Sequence, residues 1–255
     1  MEERLGNTRP TGLSRNALKA LGMLFLVGGI IGRGILQNRI LGLGSVSTAE
    51  LLAAMQAQES TMIVATVALI LQALETCAAP IYAFLLTEGF RHTSDLKKYF
   101  LRVLGVAVLS EIPWNLAMGG KLLDTGSRNP VFALVLGLVM LYLYSRFADK
   151  KLYCVIATLA AFAWAWMLRV EQGIPVLLLV VVLWLMRGKP LYRGFVGAAA
   201  AVLCTAISPF YLASPMSFLL LHFYNGEAED GSRLANYLFY PIALLAIGLA
   251  AKFMM

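Results

Sequence analysis

The sequence has few charged residues for its length. Only 14% of its 255 residues are charged and 60% are apolar, against roughly 25% charged residues in an ordinary soluble domain. A soluble domain of this size needs more polar surface to cover its core. This scarcity excludes a disordered chain, a nucleic-acid-binding module and a conventional soluble enzyme, and it favours an integral membrane protein.

Cysteine and histidine are also scarce. Cys77, Cys154 and Cys204 lie far apart in the sequence, each inside an apolar run, so they form no disulfide framework and no metal-binding spacing. The two histidines, His92 and His222, are too few for a zinc site without additional ligands. The sequence therefore predicts no metal site.

Long apolar runs dominate the chain. Because about 20 apolar residues cross a bilayer, these runs predict an all-α bundle of eight or nine transmembrane helices. The eighth run is too short to cross upright, so it is a half-helix, a re-entrant segment or the end of a bent seventh helix broken at Pro209 and Pro215. The predicted spans are 17–36, 61–87, 98–118, 130–147, 152–168, 174–187, 194–212, 214–224 and 236–254.

The remaining segments are short and polar. Residues 1–16 predict a cytoplasmic tail, 17–254 a single transmembrane domain, and 47–57 a short surface helix. Fifteen of the 21 lysines and arginines fall on one side of a nine-span arrangement. The positive-inside rule places that side, and the N-terminus, in the cytoplasm. The C-terminus is then outside with nine crossings and inside with eight. The net charge of +7 indicates topology and contact with anionic lipids rather than nucleic acid.

Two carboxylates lie near the middle of predicted spans. Glu75 and Glu111 fall 13 to 14 residues into their helices, which is close to half the membrane depth at about 1.5 Å per residue. A carboxylate there needs a partner or a proton. The alternatives are a shared-proton pair, a proton relay, a docking acid for an arginine on another helix, or a protonated carboxyl bonded to Asn115 or Gln72. Arg33, near the outer end of the first span, is expected to reach the lipid headgroups.

A charged cluster marks the cytoplasmic end of the second span. Arg91, His92, Lys97, Lys98 and Arg102 predict an anion site for the phosphates of a thioester cofactor or a lipid headgroup. The alternative is a positive-inside anchor with a local ion pair to Glu88. His222, in a short apolar segment, is either a hydrogen-bonded packing residue or a catalytic base.

The segment 78–117, AAPIYAFLLTEGFRHTSDLKKYFLRVLGVAVLSEIPWNLA, resembles the TraX family of bacterial membrane proteins. Later segments, Tyr-Asn-Gly at 224–226 and Phe-Tyr-Pro at 239–241, extend the resemblance over about residues 17–250. The residues that carry it in the first segment are Pro80, Phe84, Glu88, Gly89, Phe90, His92, Thr93, Lys97, Lys98, Tyr99, Arg102, Pro113 and Asn115.

The resemblance implies a multi-pass protein of the bacterial inner membrane. The named member of the family is linked to N-terminal acetylation of conjugative pilin. The wider superfamily resembles membrane acyltransferases that take an acyl group from a cytoplasmic thioester. Acyl-CoA is therefore the donor that the resemblance implies, and no other cofactor is predicted.

The sequence departs from the family pattern at polar positions within the spans. The Asp and His that the family carries on its first helix correspond to Gly29 and Ile30, and an Arg of the second helix corresponds to Thr76. A Thr and a second His correspond to Ala133 and Ala243. A general base must be a titratable group, so these departures predict that the usual site has been emptied. The spacing of Gly28 and Gly32 favours close helix packing instead.

Three hypotheses follow. The first is a catalytically degenerate accessory or scaffold subunit that binds another membrane protein. The second is an acyltransferase, for N- or O-acetyl transfer, that uses rearranged residues, with Glu88, His92 or His222 as catalytic candidates. The third and weaker hypothesis is a small proton-linked transporter, for which the chain lacks inverted repeats. The losses favour the first hypothesis, in which the protein is not an enzyme.

Overall fold

A computed structural model describes residues 12–42, 49, 53, 59–124, 126–227 and 233–253. Within this part of the chain the fold is helical and contains no strand, only two isolated bridges between loop residues. The predicted all-α class is confirmed. Residues 1–11 of the predicted tail and most of the predicted surface helix at 47–57 lie outside the described residues.

The helices follow the predicted spans closely. Their bounds are α1 Arg15–Ile30, α2 Glu59–Glu75, α3 Ala78–His92, α4 Leu96–Gly119, α5 Val131–Arg146, α6 Lys151–Met167, α7 Gly173–Leu185, α8 Pro190–Leu203, α9 Met216–His222 and α10 Arg233–Phe253. Three segments of the described chain are long and apolar enough to cross a membrane, judged by length and composition: Arg15–Ile40, Glu59–His92 and Leu96–Gly119.

The first two of these segments are not regular helices. After α1 the chain continues as a π-helix over Ile31–Ile40, a form that is rare at this length and usually marks functional regions. The second segment breaks at residues 76 and 77 into α2 and α3. The sequence predicted both spans but neither irregularity.

The eighth predicted span is a half-helix. After α8 the chain passes through short 3₁₀ turns at Cys204–Ala206 and Pro209–Ala213 before α9 begins. The second of these turns packs against the break between α2 and α3, where the Thr76 hydroxyl donates to the Phe210 carbonyl at 3.0 Å. Prolines at 209 and 215 begin the 3₁₀ turn and precede α9, as the sequence suggested.

The start of α1 and the end of α10 lie on opposite sides of the bundle. The backbone of Leu13 donates to the Phe223 carbonyl at 2.7 Å and accepts from the Asn225 amide at 3.0 Å. The end of α9 therefore lies beside the start of α1, and we call this side of the bundle the N-side. Further along, α10 packs with Gly248 against Leu116, near the end of α4, so α10 runs away from the N-side, as in the nine-crossing arrangement.

The interior forms two apolar clusters and the exterior remains largely apolar. One cluster joins α3, α5 and α7 around Phe84, Leu138 and Leu177, and the other joins α1, α4 and α10 around Trp114 and Leu244. Large apolar side chains cover the outside of the described bundle, for example at Leu159, Phe195 and Leu203. Such an exterior is unusual for a soluble monomer.

Candidate functional site

A cavity of about 400 Å³ opens on the N-side of the bundle, and we call it the N-side cavity. Its volume lies within the roughly 300–1,000 Å³ typical of small-molecule sites. Cationic residues line its mouth: Arg15 and Lys19 from α1, and Arg102 from α4. His92, the last residue of α3, lies beside them. The mouth is therefore suited to an anionic group.

The walls and inner end of the N-side cavity are mostly apolar. Leu26, Leu86 and Val103 belong to its lining, and Ala78, Gln172 and Tyr240 also line it. Near the mouth, Gly89 lies so close to the Tyr99 hydroxyl that an added Cβ would be 2.6 Å from it. This glycine allows α3 and α4 to approach closely.

The predicted anion cluster is only partly assembled. His92 and Arg102 line the cavity, whereas Arg91, Lys97 and Lys98 do not. Arg91 donates to Glu88 at 3.0 Å, Lys98 lies 3.2 Å from Asp95, and Lys97 is exposed. Arg15 and Lys19, rather than these three residues, supply positive charge at the mouth. From the sequence, Arg15 and Lys19 are topology signals only, although their position in the first turns of α1 could have placed them at this end.

Glu88 holds α3 to α8 rather than facing the cavity. It is 8% exposed, and one of its oxygens lies 3.0 Å from Arg91 and 3.9 Å from Arg193. Nδ1 of His92 donates to the Glu88 carbonyl at 2.8 Å, since a carbonyl only accepts. This contact leaves Nε2 of His92 available at the mouth.

His222 does not line the N-side cavity. It is the last residue of α9, is exposed, and its ring meets the edge of Phe223 at 5.5 Å. No hydrogen bond to it is present among the described residues. This placement supports neither the hydrogen-bonded packing role nor the catalytic role predicted for it.

A buried ion cluster lies beyond the inner end of the N-side cavity. Arg33, in the π-helix, donates from Nη2 to both oxygens of Glu75 at 3.1 and 3.0 Å, and from Nη1 to Glu171 at 2.6 Å. The side-chain amide of Gln172 donates to Glu75 at 2.8 Å. Glu75 is 1% exposed, so these partners satisfy a carboxylate that water cannot reach. We call these four residues the ion cluster.

The ion cluster corrects the prediction for Arg33 and selects among those for Glu75. Arg33 does not reach outward to lipid headgroups, because Glu75 and Glu171 hold it inside the bundle. Of the alternatives for Glu75, the arrangement is that of a docking acid for an arginine on another helix. No feature of the sequence marks Glu171, which lies in a short turn about 100 residues from Glu75 in the chain.

Glu111 belongs to a separate network. It accepts from Arg128 at 2.8 Å and from the Asn129 side chain at 2.7 Å. Arg128 in turn pairs through its backbone with the turn between α6 and α7, accepting from the Glu171 amide at 2.9 Å. Glu75 and Glu111 are therefore not a shared-proton pair. Asn115, 2% exposed, makes a single long contact among the described residues, 3.5 Å to the Leu122 carbonyl.

The turn between α6 and α7 carries backbone strain. Arg169 and Gln172 have φ values of 52° and 54°, a left-handed conformation that is uncommon for residues other than glycine. Such residues persist where the surrounding structure holds them, often at functional sites. Here the hydrogen bond from Gln172 to Glu75 and the pairing with Arg128 hold the turn.

A second cavity of about 290 Å³ lies on the other side of the ion cluster, and we call it the far-side cavity. Arg33, Glu75, Glu171 and Ser208 line it. Of the ion cluster, Gln172 lines both cavities, so it lies where the two cavities approach each other. Among the described residues no group of histidine, cysteine and carboxylate side chains could hold a metal ion.

Comparison with known proteins decides the family. A family model described as TraX protein matches residues 14–251. The chain belongs to the TraX family. No curated protein and no solved structure matches it. The family match covers the helices that build the N-side cavity, the ion cluster and the far-side cavity.

Within this TraX-family chain, Gly29 and Glu75 share one location. A Cβ added at Gly29 would overlap the Cβ and a carboxylate oxygen of Glu75. The Glu75 side chain thus occupies the space beside position 29, where the resemblance implies an aspartate. The π-helix that continues α1 supplies Arg33, about one turn beyond Gly29, whereas the resemblance implies an arginine at position 76 of the second span. The acidic and the basic side chain that the resemblance implies for this helix pair are therefore both present, each on the opposite helix of the pair.

Proposed function

We propose that this TraX-family chain is a multi-pass protein of the bacterial inner membrane that binds an acyl thioester from the cytoplasm and transfers its acyl group at the ion cluster. The observation that carries the proposal is the N-side cavity, with its cationic mouth and apolar walls leading towards buried carboxylates. This arrangement favours the second of the three sequence hypotheses.

The membrane assignment is supported by length and surface. Three helical segments reach a length and hydropathy suited to spanning, and the apolar exterior suits a lipid environment. Trp164 and Trp166, near the end of α6, are exposed by 52% and 71%, as interfacial aromatic residues are. With the N-side in the cytoplasm, the cavity mouth faces the compartment that holds acyl thioesters.

The lining of the N-side cavity fits an acyl-CoA. Arg15, Lys19 and Arg102 at the mouth suit its phosphates, and the apolar walls suit the uncharged arm and acyl group. When bound, the thioester supplies an activated acyl group. The chain's own residues hold its anionic part at the mouth and exclude water from its other end.

Glu171 is the carboxylate with capacity to accept a proton. Both oxygens of Glu75 are occupied by Arg33 and Gln172, whereas Glu171 uses only Oε1 for Arg33 and its Oε2 has no partner among the described residues. An acceptor hydroxyl or amine in the far-side cavity would lose its proton to Glu171 while its lone pair attacks the acyl carbonyl. The bond between carbon and sulfur then breaks, and the sulfur leaves as a thiolate.

The experiment is turnover of labelled acetyl-CoA by the purified protein in lipid vesicles, with membrane lipids and peptides offered as acceptors. Glu171→Gln is expected to lower turnover about 100-fold or more, the usual effect of losing a general base. Glu59→Gln, at the exposed start of α2, is the matched control and should leave turnover unchanged. Equal turnover in the Glu171→Gln variant contradicts the proposed step.

The accessory-subunit hypothesis makes the opposite prediction for the same experiment. A catalytically degenerate subunit should neither bind nor consume the thioester, and it should co-purify with a membrane protein in fixed stoichiometry. That combination of results would replace the acyltransferase proposal by the scaffold role.

A further inference from the structure

Tyr240 carries a buried hydroxyl that has no partner. It lies in α10, is 3% exposed, and belongs to the lining of the N-side cavity. Its Oη has no hydrogen-bond partner among the described residues. The ring is fixed in the apolar cluster that contains Leu26, Ala78 and Trp114. Tyr240 is therefore a rigid residue of the cavity wall whose hydroxyl is an unpaired donor.

The other tyrosines of the N-side cavity differ from Tyr240. Tyr82 donates to the Lys19 carbonyl at 3.3 Å, and Tyr99 and Tyr237 also have interaction partners. Native structures seldom leave a buried hydroxyl without a hydrogen-bond partner. Several buried polar atoms of the described residues have none, and among them the Tyr240 hydroxyl belongs to the residue that lines the N-side cavity. A ligand atom in this cavity would supply the missing partner.

The position of Tyr240 indicates which ligand atom. It packs with Ala78, the residue that follows the break between α2 and α3, whereas the cations lie at the mouth. A donor with its phosphates at the mouth would extend its acyl group towards this break. An uncharged O–H donor matches an uncharged carbonyl acceptor.

We propose that Tyr240 forms an acyl-group subsite, in which its hydroxyl donates a hydrogen bond to the carbonyl oxygen of the bound thioester. This inference rests on the proposed donor binding and goes beyond it by assigning the atom that the protein recognises. The same bond strengthens when negative charge develops on that oxygen during transfer. Tyr240 therefore contributes to both donor selection and rate.

The test compares the affinities of acetyl-CoA and free CoA, which differ in the acyl group. The wild-type protein is expected to prefer acetyl-CoA, and Tyr240→Phe should reduce that preference about threefold to tenfold, the effect of one hydrogen bond. Tyr82→Phe, in the same cavity, is the matched control and should keep the preference. An unchanged preference in Tyr240→Phe overturns the subsite.

A spectroscopic measurement reports the bond itself. The infrared carbonyl stretch of ¹³C-labelled acetyl-CoA should shift to lower frequency in the wild-type complex and return towards its solution value in Tyr240→Phe. Turnover should fall about 100-fold in this variant, as for loss of an oxyanion donor. An unshifted band in the wild-type complex contradicts the inference.

The two proposals fail differently. If the wild-type protein binds neither CoA nor acetyl-CoA, the proposed function fails and the subsite fails with it. If it binds both compounds equally well and Tyr240→Phe changes nothing, donor binding stands and only the subsite is wrong. Because the substitution removes an unpaired hydroxyl, the ligand-free variant should unfold at the wild-type temperature or slightly above it.

Discussion

Gly29 is the residue on which the arrangement of the ion cluster depends most directly. Its missing side chain leaves the space that Glu75 fills. On the sequence alone, this glycine indicates the loss of an aspartate, and that interpretation is incomplete. In the fold, a carboxylate reaches the same place from α2.

Gly29→Ala is predicted to destabilise the protein, because the new methyl group would overlap the Glu75 side chain in a packed interior. Overpacking of this kind costs about 1–3 kcal/mol. Gly28→Ala is the control, since its added Cβ meets only Leu71 at an ordinary 3.5 Å. The thermal unfolding temperature in detergent should fall for Gly29→Ala alone. Equal unfolding temperatures for the two variants would contradict this placement of Glu75.

Single polar residues within the spans could be predicted from the sequence, but their partners could not. Glu75 and Glu111 stood out because each interrupts an apolar run. Their pairing with Arg33, Glu171 and Arg128 could not be predicted, because pairing depends on how distant segments pack. Likewise, nothing in the sequence marks Tyr240 as unpaired, since that follows from the surroundings of its hydroxyl.

Among the elements, α4 shows how a helix end is fixed. Asp95 caps it, accepting from the Lys98 amide at 2.9 Å. That hydrogen bond, together with the Lys98 ammonium, lowers the pKa of the exposed Asp95 carboxyl. The cap thereby orients the first turns of α4, which carry Tyr99 and Arg102 to the cavity mouth.

The Asp95 cap predicts a pH dependence. Because its pKa is lowered in the folded state, its stabilising effect is full above its unfolded pKa of about 4 and is lost as the pH falls through the folded pKa. The unfolding temperature of Asp95→Ala should therefore lie below that of the wild type at neutral pH, with the gap narrowing below about pH 4. Asp95→Asn, which can still cap, should show a smaller gap at neutral pH. A gap that stays constant with pH would contradict the ionic cap.

The π-helix and the break at residues 76 and 77 could not be predicted from the sequence. Apolar length predicts a span, and it does so equally for a straight helix and for a broken one. The break at 76 and 77 is stabilised by contacts from the 3₁₀ turn at Pro209–Ala213, such as that of Cys77 with the Ala213 carbonyl at 3.3 Å. Those contacts exist only once the bundle has formed.

At the scale of the whole molecule, the start of α1 and the far end of α10 lie on opposite sides of the bundle, which is the arrangement expected for an odd number of crossings. The start of α1 and the end of α9 share the N-side through the pairing of Leu13 with Phe223, and α10 then leaves that side. The charge pattern predicts the same orientation and leaves eight or nine crossings open. The half-helix α9 fits nine crossings, and its return towards the N-side could not be predicted from apolar length because it depends on packing.

Reporter fusions test this topology. Green fluorescent protein fused after residue 227 should fluoresce, because the proposed orientation puts that position on the cytoplasmic side. Fused after residue 253 it should be dark, while alkaline phosphatase at the same position should be active. Fluorescence after residue 253 would show an even number of crossings and would contradict the path of α10.

Binding of labelled acetyl-CoA to the purified protein tests the central claim most directly. Two double variants remove the same charge: Arg15→Ala with Arg102→Ala at the cavity mouth, and Lys97→Ala with Lys98→Ala outside it. We predict that the first weakens binding about fourfold to 20-fold, as expected for two exposed ionic contacts, and that the second leaves it unchanged. Absence of binding to the wild-type protein, or equal weakening in both variants, would contradict a donor site in the N-side cavity.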